Sequence, residues 1–174
     1  SPAEDTSEER IVKDALAHPI DSAPLSQLVH AGQRVCFVLP DITRSWQHPE
    51  RYLPALVAEL HAGGVRDEDI VFPRGTGPHR APTANGHARL LGPELAKRFT
   101  VLDHDCQDAA AHQYLGTTSR GTPVEIDRRA LACDHIVVCG AIVYHLLAGW
   151  SGGKKGLIPG ISSYRTIMAN HSLS

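Results

Sequence analysis

Apolar residues gather along this chain in short runs separated by stretches of helical period. The runs are RVCFVLP at 34–40, DIVFP at 69–73, FTVLDH at 99–104, TPVEI at 122–126 and HIVVCGAIV at 135–143. The more apolar of them are nearly continuous rather than alternating, which predicts strands covered on both faces. Between them PERYLPALVAELHAGG at 49–64 reads as a helix, with Pro49 suited to its first turn and Gly63 and Gly64 to its stop. Further helices are predicted at 7–17, 83–98, 128–133 and 162–171. Strand and helix alternate, so the predicted fold class is α/β: a mainly parallel sheet flanked by helices, in a single domain over 1–174.

That order carries a functional consequence. DITR at 41–44 follows the first run, RGTGPHR at 74–80 the second, and Tyr144–His145 the last. In a parallel sheet all three emerge at the carboxyl edge, where open α/β folds bind ligands. Asp41, Arg44, His79 and His145 are therefore expected to converge, and the glycine-rich stretch HLLAGWSGGKKGLIPG at 145–160 continues from the same edge.

Composition narrows the ligand. With 174 residues and 42% hydrophobic content, the chain can bury roughly 70% of its unfolded surface. A formal net charge of −2 gives no broad electrostatic reason to bind nucleic acid or an anionic membrane. Cys36, Cys106, Cys133 and Cys139 show no C-x-x-C spacing and read as buried thiols in a reducing compartment. The acidic start SPAEDTSEER is not a secretory signal, and no segment reaches the roughly 18 apolar residues of a membrane span, so a cytoplasmic location is expected. Of the eleven histidines, His18, His30, His48 and His61 fall on helices or turns where a solvated imidazole suffices.

The motifs exclude two common sites. A Walker match ending at Lys154 needs Gly in place of Ala148 and Ser or Thr in place of Lys155, and no G-x-G-x-x-G follows the first strand. An anion nest at Ser151–Gly153 stays open. Lys155 is either a solvated loop lysine or a nucleophilic amine, whose ammonium form an adjacent cation such as Lys154 and partial desolvation would disfavour. His171 either meets the dipole at its helix's end or ligates nickel, copper or zinc, with most other ligands coming from elsewhere. Arg44 either closes a turn with Asp41 or offers its planar fork to a carboxylate or phosphate. His104–Asp105 alone is nearly uninformative as a hydrolase pair.

Taken together, DITR, GTGPHR, LGTTSRGTPVEIDRRALACDHIVVCGAIVYH, AGWSGGKKGLIPGI and the late ANH resemble, in order, the N-terminal domain of the nickel-pincer lactate racemase family. The resemblance covers nearly the whole chain. It implies a racemase or epimerase domain acting on a 2-hydroxy acid by proton-coupled hydride transfer. Its cofactor is a nicotinate-derived pincer nucleotide, attached to Lys155 through a thioamide and holding nickel through carbon, two sulfurs and His171. The same resemblance assigns His79 and His145 as catalytic bases. Asp41, Thr43 and Arg44 match the D-x-T-R motif, with Arg44 holding the substrate carboxylate or a neighbouring anion. It also implies a second, C-terminal domain that closes the site, and cofactor-synthesis enzymes as partners. The sequence departs from the family pattern in lacking an acidic residue in APTANGHARLL and in having Tyr144 where proline is frequent. A non-catalytic module holding a nucleotide or small anion in the same crevice is the alternative.

Overall fold

A computed structural model describes residues 7–78, 84–146 and 149–172. In chain order the elements are α1 (Glu8–Ala17), α2 (Leu25–Leu28), β1 (Val35–Val38), α3 (Pro49–Ala62), β2 (Ile70–Arg74), α4 (Ala84–Arg98), β3 (Val101–Asp103), β4 (His112–Thr117), β5 (Pro123–Asp127), α5 (Arg128–Leu131), β6 (His135–Val138), β7 (Tyr144–His145), β8 (Gly149–Trp150) and α6 (Tyr164–His171). Four strands form one sheet in the order β3-β2-β1-β6, every neighbouring pair parallel.

β1 shows why the apolar runs are unbroken. Val35, Phe37 and Leu39 enter a core beneath α3 and α4 with Leu53, Val57, Leu60, Leu91 and Leu95. There Phe37 stacks on Phe72 at 5.4 Å between ring centroids, and Phe99 meets Phe72 edge-on at 5.1 Å. Cys36 and Val38 enter a second core on the other face with Ile126, Ala130 and Ile161. Successive strand residues point to opposite faces, so a strand buried on both sides must be apolar throughout.

Two predicted strands behave differently. The run at 122–126 becomes β5, which leaves the parallel sheet and pairs antiparallel with β4, a strand the apolar pattern did not reveal. The run at 135–143 is a ladder strand only through Val138. Its partner β1 ends there, and Cys139 N–H donates the last bond of that edge to Val38 O at 3.0 Å. The predicted helices at 7–17, 49–64, 128–133 and 162–171 form within a few residues of their expected limits, and α4 bends at Gly92 (φ 76°) before Pro93. Among the described residues no helix is long and apolar enough to cross a membrane. All four cysteines are free thiols: Cys36, Cys106 and Cys139 are buried, and Cys133 is half-buried.

α6 is fixed to β5. Ile126 bridges Ser162, Asp127 N–H donates to Ile161 O at 3.0 Å and Ser163 N–H to Glu125 O at 3.0 Å. Behind this seam lies a buried polar node. His104 directs Nδ1 at Asp127 Oδ2 (3.2 Å) and Nε2 at Ser162 O (3.0 Å), while Arg129 donates to both carboxylate oxygens of Asp127. Burial alone would raise the Asp127 pKa, but the bonds from His104 and Arg129 outweigh it and hold the carboxyl well below the usual carboxylate range.

Candidate active site

A cleft of about 530 Å³ opens at the carboxyl edge of the parallel sheet, within the usual size range of small-molecule sites. Asp41, Thr43 and Arg44 line it from the segment after β1, His145 from the hairpin after β6, Lys155 from the glycine-rich turn and His171 from α6. Six of the seven predicted site residues are thus brought together. The seventh, His79, lies outside the described residues.

Each group is placed by its local chain. Asp41 Oδ1 accepts from Thr43 N–H at 2.9 Å, and Asp41 O accepts from Arg44 N–H at 2.8 Å. Asp41 therefore caps a 3-10 turn over Ile42–Gln47 and sets where Arg44 leaves the backbone. His145 sits in the short β7–β8 hairpin, opposite Gly149. Lys155 lies in a 3-10 turn over Gly153–Gly156. A side chain at Gly156 would collide with Val138, and one at Gly160 with the Gly156 carbonyl. Gly156 lets the turn press against β6, and Gly160 lets it fold tightly on itself. Gly153 (φ 49°) faces open space. Ser151 N–H is committed to Val143 O at 2.8 Å, which removes the first donor of the anion nest left open at Ser151–Gly153.

The electrostatics disfavour the protonated forms of Lys155 and His145. Burial, then the charge of Arg44, lowers the Lys155 pKa, so the neighbouring cation is Arg44 across the cleft rather than adjacent Lys154. Burial, followed by Lys155, Arg44 and His171, lowers the His145 pKa. The His171 ring is oriented by its own helix: Nδ1 lies 2.9 Å from Ile167 O. A carbonyl only accepts, so Nδ1 carries the proton and a neutral ring leaves its lone pair on Nε2. On the same face of α6, Tyr164, Ile167 and Met168 line the cleft beside His171. Their i, i+3, i+4 and i+7 spacing was readable in the sequence as a stripe. Thr76, within the GTGPHR stretch, and Gln47 also line the cleft, and Gln47 carries no sequence signature that marks it.

The residues matched the lactate racemase N-terminal domain family over 1–174. The chain belongs to that family. It is 33% identical over 166 residues to a lactate racemase of Thermoanaerobacterium thermosaccharolyticum, covering 95% of this chain and 38% of the relative. It is 30% identical over 166 residues to a lactate racemase of Lactiplantibacillus plantarum, covering 95% and 39%. The fold superposes on the lactate racemase apoprotein of T. thermosaccharolyticum with a TM-score of 0.86 at 31% identity, covering 94% of this chain and 39% of that one. A Thermotoga maritima protein shares the fold at a TM-score of 0.75 and 22% identity, covering 95% and 40%. The chain therefore spans about two-fifths of the length of the relatives it matches.

Proposed function

We propose that this domain carries the cofactor and most of the substrate-binding groups of a 2-hydroxy acid racemase or epimerase. The observation that supports it best is the convergence of Arg44, His145, Lys155 and His171 on one cleft, with His171 Nδ1 engaged by Ile167 O.

The donor set suits a nickel pincer nucleotide. Among the described residues no three His, Cys, Asp or Glu side chains cluster to hold a metal, and His171 offers a single imidazole nitrogen. That fits a group supplying its own remaining ligands, since a bare ion would need several from protein. Lys155, with its ammonium form disfavoured, would carry the nucleotide, and His171 Nε2 would face the nickel. When bound, the group supplies a hydride acceptor and donor for carbon 2 of the substrate.

This chain's own residues do the rest. Arg44 holds the substrate carboxylate with its planar fork. His145, whose protonated form burial and then the nearby cations disfavour, takes the hydroxyl proton of one enantiomer, and His79 is proposed to do the same for the other. Beside His145, Ile142, Tyr144, Leu146 and Trp150 are exposed. A further domain, matching the length of the relatives beyond this chain, would cover them and exclude water. Cofactor-synthesis enzymes and a cytoplasmic setting complete the proposal.

The test is mass spectrometry of protein produced with nickel and the cofactor-synthesis enzymes. A nucleotide adduct on Lys155 is expected, absent in Lys155→Ala. His171→Ala should keep the nucleotide and hold nickel poorly. Repeated absence of an adduct with nickel supplied would favour a non-catalytic binding module.

A further inference from the structure

After Cys139 the chain leaves the sheet, and the next ladder pair is Tyr144 with Trp150. Nothing in regular strand pairing holds the intervening residues, yet they set the position of His145. Their tether is a side chain from the neighbouring strand's loop. Gln47, the last residue of the 3-10 turn that carries Arg44, accepts the Ala141 N–H on Oε1 at 3.0 Å. Ala141 O accepts from Ser151 Oγ at 3.2 Å, and Ser151 N–H returns to Val143 O at 2.8 Å. The chain of bonds runs from the Arg44 turn, through Gln47, to both arms of the hairpin that holds His145.

We propose that Gln47 is a positioning residue that locks the His145 hairpin to the Arg44 turn, so that base and carboxylate clamp keep a fixed separation. This rests on the racemase reading for its purpose, but the bond pattern that carries it does not. An amide suits the task because it does not titrate: the tether holds the same geometry whether His145 is protonated or neutral. A carboxylate there would add charge beside the groups whose neutrality the reaction needs.

The test uses the 174-residue chain without cofactor. Gln47→Met keeps the side-chain length and removes the acceptor, whereas Gln47→Glu keeps an oxygen at the same reach. Hydrogen exchange should show the Ala141 amide opening roughly 10-fold faster in Gln47→Met, the scale of one lost net hydrogen bond. Exchange at Phe37, in the centre of the sheet, should be unchanged, showing that the fold persists. In the same variant the His145 ring, followed by NMR, should titrate at higher pH than in the parent, because the loosened hairpin exposes it to solvent and moves it away from the positive charges of Lys155 and Arg44. Gln47→Glu should restore protection at Ala141. Parent-like exchange at Ala141 in Gln47→Met, an unmoved His145 titration, or failure of Glu to restore protection would each overturn the proposal. None of these readouts depends on an adduct at Lys155. A chain that shows all three results but never accepts the nucleotide keeps the tether and loses the racemase reading.

Discussion

Replacing Asp127 by Asn should reveal how strongly the node behind α6 holds this domain together. Asp127 is fully buried. Its Oδ1 accepts from Arg129 N–H at 2.8 Å and Nε at 3.0 Å, and its Oδ2 from Arg129 Nη2 at 2.5 Å and His104 Nδ1 at 3.2 Å. Asn keeps the shape and one oxygen, so the cap on α5 survives. Its amide nitrogen then faces the donors of Arg129 or His104. Bonds to charged groups contribute about 1.5–3 kcal/mol each, and removing one member of a buried pair costs about 3–5 kcal/mol. The Arg129 side chain is 38% exposed, so solvent screens its share and the lower end of that range is expected. For a chain of this size that corresponds to a melting temperature roughly 6–12 °C lower, read by circular dichroism and urea titration at pH 7. The pH dependence supplies a second check. The folded-state pKa of Asp127 is depressed, so its stabilisation is fully present above the ordinary carboxylate value and is lost as pH falls through the lower folded value. The gap between parent and Asp127→Asn should therefore be wide at pH 7 and shrink below pH ~3.8. A gap under about 1 kcal/mol at pH 7, or one that persists undiminished in acid, would refute the reasoning.

Two further outcomes follow from packing and burial. Gly160→Ala should destabilise by about 2 kcal/mol or more, because the added methyl meets the Gly156 carbonyl, backbone that cannot yield. Gly153→Ala, where nothing lies within 4 Å of the new methyl, should cost only the roughly 1–2 kcal/mol of its left-handed backbone; equal losses in urea titrations would contradict this. Burial pushes the Cys139 pKa up to about 12 and raises that of Cys36 still further. Although Cys139 borders the cleft, iodoacetamide at neutral pH should leave both thiols unmodified until the protein unfolds, as intact-mass measurement would show.

Much of the fold could be read because burial on two faces removes polar residues from a strand, and β1 and β2 carry that imprint. β4 lacked it. Most of its residues are exposed, so neither face needed an apolar pattern. The run at 135–143 misled for the complementary reason: its apolar residues continue past the end of β1, and hydrophobicity does not record where a partner strand stops. The lining of the cleft was legible through the resemblance, as at Arg44, Lys155 and His171, which line it together. It was illegible at Gln47, whose role depends on a backbone N–H 94 positions away in sequence. The glycine-rich stretch was legible as a continuation of the carboxyl edge, but not as a place where the chain packs on itself: Gly156 and Gly160 meet the protein.

The pairing of β1 with β6 also sets a timetable. Arg34 N–H bonds to Asp134 across 100 positions of sequence, and that seam brings the Arg44 turn beside the His145 hairpin. Contacts so distant along the chain form slowly, because the intervening loop must close before they stabilise anything. During synthesis the sheet's other three strands can assemble while the wall that carries His145, Lys155 and His171 has yet to leave the ribosome. The lysine proposed to bear the nucleotide is thus presented only on a scaffold already built, and any enzyme that loaded it would meet a finished cleft, not a nascent chain.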